Sequence, residues 1–301
     1  MKDEVSGAGS RIGVMVDHSP LAGYLNSIAE TYRSGFLDSD PIGIVHGLRD
    51  GDDVEAGAFL ASALALGRVA TIREKTADLF LRFENRPAGF LRRSSRGTIE
   101  KSLRGFRHRF FGEDEFLDLV LHMKRILLKK GSLEAVWPGQ VGFDEALDRF
   151  ATEFSSPARP GRVSTIPLVS SPAAGSTCKR LLMFLRWMVR TGDGVDFGLW
   201  KTLSPSELVI PMDTHIFRIS RLLGLTTRKT PNWKAAVEVT ARLKEIDPDD
   251  PVRFDFALAR IGIVQGCRAK YVARICGSCP LLPVCDAARH HKPQDAGSPL
   301  V

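Results

Sequence analysis

The sequence predicts an all-α fold, and two observations lead to that prediction. Apolar residues recur at intervals of three and four over most of the chain, which is the spacing of one buried face of an α-helix. Strand signals are nearly absent, because no stretch of Val, Ile, Thr and aromatic residues alternates strictly with polar residues between turn residues. A chain of 301 residues that is 44% apolar can bury a substantial core. We therefore expect a globular helical protein.

Each predicted helix is a periodic stretch that lies between joints rich in Gly, Pro and Ser. Two such joints are SSPARPGR at 155–162 and SSPAAGS at 170–176. Capping residues precede two of the helices, with Ser176 or Thr177 before one and Asn232 before another. In chain order, the predicted helices cover residues 21–37, 56–83, 114–130, 143–154, 178–190, 213–225, 232–246 and 253–267.

The charge of the chain favours an anionic partner, since the formal net charge is +7. Basic residues are concentrated between Arg92 and Arg109, where seven Lys and Arg stand against one Glu, with aromatic and His side chains among them. This run predicts a surface that follows a nucleic-acid backbone through Arg104, Arg107 and Arg109. A solvated helix face without a partner is the alternative interpretation.

The sequence gives no sign of a membrane segment. Its N-terminal residues lack the apolar core of a signal peptide, and no stretch approaches the roughly 18 to 20 apolar residues of a membrane span. We expect a cytoplasmic protein, associated with the nucleoid if it binds DNA. Disulfides are rare in that reducing compartment, so clustered cysteines are interpreted as metal ligands.

Four of the five cysteines lie in the segment CRAKYVARICGSCPLLPVC. Cys276 and Cys279 form a Cys-x2-Cys pair, and Cys267 and Cys285 flank it at eight and five intervening residues. Four thiolates can bind Zn²⁺ or hold a [4Fe–4S] cluster. A zinc ribbon usually has two such close pairs, so this spacing favours the iron–sulfur cluster and leaves zinc as the alternative. The fifth cysteine, Cys178, is distant in sequence and is not expected to be a ligand.

Two resemblances to known families rest on particular motifs. The run PMDTHIFRISRLLGL at 211–225, followed by the cysteine segment, resembles the end of the catalytic region and the iron–sulfur loop of endonuclease III, in the helix-hairpin-helix DNA glycosylase superfamily. The segments FLASALALGRVATI, KRLLMFLRWMVR, VDFGLW and DPVRFDFALARIG resemble a bacterial family of unknown function, DUF2400. Together they imply an all-α, two-lobed helix-hairpin-helix glycosylase-like fold with a C-terminal four-cysteine cluster loop.

The resemblance also implies how the chain is divided. We expect a flexible N-terminal tail at 1–20, helices at 21–57 that pack with the cluster lobe, a central catalytic lobe at 58–217, C-terminal helices with the iron–sulfur loop at 218–286, and a flexible tail at 287–301.

Asp213 matches the position of the catalytic aspartate of the glycosylase superfamily. Those enzymes extrude a damaged nucleotide and cleave its N-glycosidic bond, and the aspartate supports the positive charge that builds on the sugar. Asp213 could equally cap the helix that follows it, since Asp is a preferred N-cap residue.

Superfamily members with lyase activity add a Lys amine that attacks the sugar C1′. Lys179 is the candidate here, because it begins an otherwise apolar helix and lies beside Arg180. We expect Arg180 and Arg186 to contact the nucleic acid. In an alternative interpretation, Lys179, Arg186 and Arg190 form one solvated or phosphate-binding stripe.

The connection between Lys179 and Asp213 spans 34 positions, which is longer than in endonuclease III. It is similar to the long connection of archaeal 8-oxoguanine glycosylases, and that similarity implies an oxidised purine as the substrate. Within it, Asp193, Asp196 and Trp200 are expected near the mouth of the site. There, Trp200 could stack on a flipped base and a carboxylate could accept from its edge. Core packing of Trp200 is the alternative.

Residues and resemblance together predict a base-excision DNA glycosylase with AP lyase activity, acting as a monomer on a damaged base in duplex DNA. Two alternatives stay open. The first is a non-catalytic iron–sulfur protein that binds DNA and senses lesions or redox state. The second is the same fold acting on RNA, because a basic surface does not distinguish the two polymers.

Overall fold

The computed structural model describes residues 19–154 and 168–289, and within these ranges it confirms the all-α prediction. No β-strand is present in them, although an isolated bridge joins His108 and Phe111. The expected joint at 155–162 and most of both expected tails lie outside the described residues. None of the described helices is long and apolar enough to cross a membrane.

The helices follow one another through short connections. The α-helices are α1 (Ser19–Thr31), α2 (Ile42–Val45), α3 (Gly51–Ala63), α4 (Val69–Arg82), α5 (Pro87–Arg93), α6 (Arg96–Leu103), α7 (Glu113–Lys130), α8 (Phe143–Thr152), α9 (Lys179–Val189), α10 (Thr214–Leu222), α11 (Trp233–Lys244), α12 (Asp255–Ile263), α13 (Ala273–Cys276) and α14 (Asp286–Arg289). Short 3₁₀ segments lie at Ser34–Ser39, Glu134–Val136, Pro172–Ala174, Pro205–Glu207, Pro251–Phe254 and Leu282–Val284.

Helices α3 and α9 form the centre of the core and pack against each other. All residues of α3 from Asp53 onwards are buried, and α9 is buried from Leu181 to its end. A helix that is buried on all sides needs small residues where neighbours approach closely. At Gly57 in α3, an added Cβ would overlap the side chain of Leu48. The Ala- and Gly-rich sequence of α3 therefore lets the surrounding helices come close.

The predicted single helix at 56–83 is wrong, because the structure divides it into α3 and α4. Gly67 lies in the break with a φ of +110°, which glycine adopts easily and other residues do not. The apolar periodicity continues across the break because both helices turn an apolar face to the same core. Sequence periodicity therefore missed a turn that, as shown below, borders the main cavity.

Helices α5 and α6 were not predicted, since the basic run hid their short apolar faces. α5 has Pro87 at its first position, and α6 has an N-cap, Ser95, whose side chain accepts from the backbone N–H of Thr98 at 3.1 Å. Both are common ways to begin a helix. Much of the basic run is thus helical and packs on neighbouring helices.

The two predicted helix caps have different outcomes. Asn232 caps α11 as predicted, because its side chain accepts from the N–H of Ala235 at 2.9 Å. For α9 the prediction is wrong: the residue before the helix is Cys178, with a left-handed φ of 53° and no side-chain cap. The hydroxyl of Ser176 accepts instead from the N–H of Cys178, at 3.0 Å.

The N-terminal and C-terminal parts of the chain pack together. α1 lies against α12 and the 3₁₀ segment Pro251–Phe254, and α10 lies against α12. The expected lobe boundaries after residues 57 and 217 fall inside α3 and α10, so each of these helices continues across the expected boundary.

Candidate active site

Lys179 and Asp213 meet at the starts of two helices. Lys179 is the first residue of α9, and Asp213 is the N-cap of α10, as its alternative interpretation stated. Oδ1 of Asp213 accepts from the N–H of Ile216 at 2.8 Å, while Oδ2 lies 3.5 Å from Nζ of Lys179. Both side chains are largely but not fully buried. The carboxylate is therefore held by its own helix and directs its second oxygen at the amine.

Both residues line a cavity of about 420 Å³. Its walls come from the turn between α3 and α4, which contains Gly67, and from the starts of α9 and α10 and one side of α12. Apolar side chains, including Ile72 and Met183, supply much of the wall. A pocket that is largely apolar with a few convergent polar groups is typical of a ligand-binding site.

Five further charged residues line this cavity: Asp40, Arg68, Arg186, Asp255 and Arg260. Arg186 donates to Asp196 at 3.1 Å and also to Asp255. Burial alone would lower the pKa of the Arg186 guanidinium, but the charges of both carboxylates outweigh it and raise that pKa. The cavity therefore has a charged wall whose members are mostly paired with one another.

The side chain of Arg186, which was expected to contact nucleic acid, is buried and donates to two carboxylates of the protein. Asp193 and Asp196 also do not line the cavity mouth. Both accept from Arg190, which also pairs with Asp250 at 2.9 Å. A buried guanidinium is costly without such partners. The long connection after α9 therefore supplies carboxylates that neutralise two buried arginines.

Trp200 belongs to the core, as its alternative interpretation stated. It is 2% exposed, and its ring packs edge-on against Phe184 with centroids 5.3 Å apart. Its Nε1 donates to Oε1 of Glu55 at 2.7 Å, and burial raises the pKa of that carboxyl. Trp200 is thus unable to stack on a base in the cavity.

The basic run divides into two parts. Arg92, Arg93 and Arg96 pair with Asp52, Glu84 and Glu100, respectively. Arg104, Arg107 and Arg109 are exposed and make no ion pair with any residue in the described ranges. Of the six arginines in the run, the three assigned to nucleic-acid binding are therefore the ones without an ion pair among the described residues. We call residues 104–111 the basic turn.

The tip of the basic turn presents an aromatic ring to solvent. Phe110 is 82% exposed, and the guanidinium of Arg109 lies 5.5 Å from its ring centroid. The bridge between His108 and Phe111 closes the turn. Sequence reasoning missed Phe110; the available signal was a pair of adjacent Phe residues inside a basic run.

The basic turn is attached beside the cavity. A ring nitrogen of His108 bonds to the carbonyl oxygen of Leu66 at 3.1 Å, next to Gly67 in the cavity wall. Arg180, which follows Lys179, donates to the carbonyl oxygen of Ala63 at 3.2 Å and lies 5.9 Å from the ring centroid of Phe111. Burial lowers the pKa of the Arg180 guanidinium. Arg180 therefore links α9 to the turn instead of extending into solvent.

The four cysteines of the C-terminal segment lie near one another. Burial raises the pKa of the Cys279 and Cys285 thiols, and the charges of the neighbouring cysteines raise both further. The N–H of Val272 donates to Sγ of Cys276 at 3.3 Å, a hydrogen bond of the kind that stabilises a thiolate ligand. All four thiols are free. Four thiols are the donor set of a [4Fe–4S] cluster and also of a tetrathiolate Zn²⁺ site.

In residues 19–154 and 168–289, no group of three or more Cys, His, Asp and Glu side chains is arranged to hold a single metal ion. Cys178, by contrast, is buried, and burial raises its pKa to about 12, which makes it an inert thiol.

The overall fold of the chain is similar to that of endonuclease III. A solved structure of a trapped covalent intermediate of endonuclease III with DNA, in an estranged-adenine complex, matches with a TM-score of 0.52. The identity is 17%, and the match covers 91% of this chain and 98% of the other. The chain therefore has a fold of the helix-hairpin-helix glycosylase class.

The family is defined by sequence. Residues 40–264 match the family described as protein of unknown function (DUF2400), and the chain belongs to this family. The match ends just before the four-cysteine segment. No curated protein matches the chain.

Proposed function

We propose that the protein is a base-excision DNA glycosylase with AP lyase activity, acting on a damaged base. The observation that carries this proposal is the approach of Lys179 Nζ to within 3.5 Å of Asp213 Oδ2 at the wall of a cavity of about 420 Å³. The fold similarity supports it, because the matching endonuclease III was trapped as a covalent intermediate with DNA.

The two residues divide the chemistry between them. As the N-glycosidic bond breaks, the base departs with the bonding electron pair and positive charge builds on the sugar. The carboxylate of Asp213, fixed by the N–H of Ile216, stabilises that charge without having to move. The amine of Lys179 then bonds to C1′ after losing a proton, for which Oδ2 of Asp213 is an acceptor within reach. The C1′–O4′ bond then breaks, the sugar ring opens and O4′ takes up a proton, which leaves a protonated imine between Lys179 and C1′. Loss of a C2′ proton from this imine expels the 3′ phosphate by β-elimination.

The basic turn supports DNA as the polymer that is bound. Arg104, Arg107 and Arg109 are exposed and can neutralise phosphates, and the exposed ring of Phe110 belongs to the same turn. An exposed apolar ring can enter a base stack and help to keep a nucleotide extruded. Duplex DNA is the substrate for which such a ring is useful, because a nucleotide extruded from a duplex leaves a gap.

We also propose that Cys267, Cys276, Cys279 and Cys285 hold a [4Fe–4S] cluster. The cluster would supply folding free energy to the C-terminal segment by tying α13 to α14. Its ligands are far from Lys179 in sequence and are not among the residues that line the cavity.

Borohydride trapping tests the enzymatic proposal. Reduction of the imine makes the link between Lys179 and the sugar permanent, so the protein should become covalently attached to an oligonucleotide with an abasic site. Lys179→Gln removes the amine but keeps most of the stem and a polar end, so it should lose trapping and retain DNA binding. Trapping of the variant at the wild-type level would show that another amine is the nucleophile.

Failure of both proteins to trap or excise, together with retained DNA binding, would favour a non-catalytic binding protein. Stronger binding to RNA than to duplex DNA of the same sequence would favour the RNA alternative. Competition binding with the two polymers should therefore accompany the trapping assay.

A further inference from the structure

Arg260 is the charged residue of the cavity wall whose hydrogen bonds are incomplete. It lies on α12, is 1% exposed, and donates from Nη2 to Oδ2 of Asp40 at 3.0 Å. Its Nε and Nη1 are buried and have no acceptor within residues 19–154 and 168–289. The ring of Phe256 covers it, with its centroid 4.3 Å from the guanidinium carbon.

This arrangement differs from that of Arg186 in the same wall. Arg186 donates from each of its nitrogens to the carboxylates of Asp196 or Asp255. A guanidinium is always charged, and leaving a buried donor of a charged group without an acceptor is costly. Of these two buried guanidinium groups in the cavity wall, that of Arg186 is therefore satisfied within the described residues and that of Arg260 is not.

Asp40 holds Arg260 in a fixed position at the cavity. Oδ1 of Asp40 accepts from the N–H of Ile42 at 3.1 Å, and Oδ2 accepts from Arg260. Each carboxylate oxygen can accept more than one hydrogen bond, so Asp40 can also receive an N–H from a ligand. Arg260 thus has N–H groups without an acceptor, and Asp40 beside it on the same wall has a carboxylate that can accept a further hydrogen bond.

We propose that Arg260 and Asp40 recognise the extruded base by a lactam edge, in which a ring carbonyl oxygen lies next to a ring N–H. The carbonyl accepts from Arg260, and the N–H donates to Asp40. A base with an amino group in place of that carbonyl presents a donor to a donor and is disfavoured. This inference rests on the proposed glycosylase function and defines its substrate class.

The size and chemistry of the cavity fit such a ligand. Its apolar wall, with Ile72 and Met183, can cover the faces of a planar ring, and Lys179 and Asp213 lie in the same cavity, where the sugar would stand. The polar groups that would read the base lie on α12 and at Asp40, whereas the two catalytic candidates lie at the starts of α9 and α10.

The test compares duplexes that differ in one exocyclic group. Two pairs serve as probes, 5-hydroxyuracil against 5-hydroxycytosine and hypoxanthine against adenine, each at a single site in the same oligonucleotide. In whichever pair wild-type protein excises, its single-turnover rate should be about tenfold or more higher for the base with the carbonyl than for the base with the amino group. Arg260→Met should reduce this preference to about twofold or less while still trapping at an abasic site, where there is no base to read.

The matched control is Arg253→Met. Arg253 also lies over an aromatic ring, with its guanidinium 4.5 Å from the centroid of Phe254, but it is not a residue of the cavity wall. This variant should keep the wild-type preference. If Arg260→Met fails to fold by circular dichroism, Arg260→Lys takes its place and should reduce the preference at least about fivefold, because an ammonium lacks the planar donors.

The outcomes separate this inference from the glycosylase proposal. Two results would overturn the role of Arg260 and leave the enzyme assignment intact. The first is an unchanged carbonyl preference in the folded Arg260 variant. The second is the absence of any preference in wild-type protein that traps at abasic sites. Absence of abasic-site trapping in wild-type protein overturns the glycosylase proposal and the inference with it.

Discussion

At the scale of single residues, the two oxygens of Asp213 have separate tasks. Oδ1 completes the first turn of α10 by accepting from Ile216, and Oδ2 faces the amine of Lys179. Capping and charge stabilisation are therefore compatible in one side chain, because a capping carboxylate is fixed in position before any substrate arrives.

Asp213→Asn separates these two tasks. Asn caps a helix as well as Asp does, so the melting temperature should change little. The developing sugar cation loses its counter-charge, so the single-turnover rate of base excision should fall by about 10² or more. Fluorescence anisotropy with lesion-bearing duplex should show retained binding. Excision at the wild-type rate would remove Asp213 from the mechanism.

Asp255 gives the protein a pH-dependent stability. Burial raises the pKa of this carboxyl from its ordinary value of 3.8 to about 6, and the charges of Asp213 and Asp40 add to the effect, although Arg186 opposes it. The folded state then binds this proton more tightly than the unfolded state. The contribution of Asp255 to stability is therefore complete below about pH 4 and is lost as the pH rises through about 6.

Asp255→Asn removes this titration. The loss on going from about pH 4 to about pH 7 should amount to about 3 kcal/mol of unfolding free energy in the wild type and be absent in the variant. Urea unfolding of both proteins at the two pH values measures it. If the unfolding free energies of wild type and variant change by the same amount from pH 4 to pH 7, burial of Asp255 does not make stability depend on pH.

At the scale of elements, the basic turn and the break between α3 and α4 form one unit. His108 bonds to Leu66, and Arg180 contacts both Ala63 and Phe111. The turn that exposes Phe110 is thereby fixed against the wall of the cavity. A surface that binds DNA through this turn would place the polymer directly at the cavity entrance.

Neutralising the basic turn should weaken binding without altering its sequence preference. The variant that combines Arg104→Gln, Arg107→Gln and Arg109→Gln should bind DNA with a weaker salt dependence. The slope of log K for DNA binding against log salt concentration should flatten by about 0.9 for each phosphate contact that is lost. The matched control is the triple Gln variant of Arg92, Arg93 and Arg96, which are paired within the chain and should leave the slope nearly unchanged. Equal slopes for wild type and both variants would make the turn a solvated surface.

At the scale of the whole molecule, the cysteine segment completes the C-terminal part of the fold. Cys267 and Cys279 pack against the core, and the 3₁₀ segment Leu282–Val284 lies against α1. Loss of the proposed cluster should therefore loosen the packing of this segment against α1 and the core.

Protein purified anaerobically should contain about four irons and four sulfides per chain. Ser substitution of Cys267, Cys276, Cys279 or Cys285 should remove the metal and reduce solubility, because bound metal contributes folding free energy. Cys178→Ser is the matched control and should keep the metal. Metal and sulfide analysis decides the outcome, and one zinc without sulfide would contradict the cluster.

The sequence by itself determined the class of the fold and the candidate pair of Lys179 and Asp213. Helical periodicity is a local signal, and it identified the long amphipathic helices. The motif around Asp213 is equally local, and it predicted this residue at the start of a helix, which is α10 in the structure. The structure then brought Lys179 to within 3.5 Å of it. The short helices α5 and α6 and the break at Gly67 were missed because a few residues carry too little periodicity.

Only the tertiary structure decided which charged and aromatic residues border the cavity. Arg186 and Asp255 are 69 positions apart, Trp200 and Glu55 are 145 apart, and Arg260 and Asp40 are 220 apart. Whether a guanidinium is satisfied within the protein or is available to a ligand depends on such distant partners. A linear pattern cannot supply them, because burial and pairing arise only when separate helices pack together.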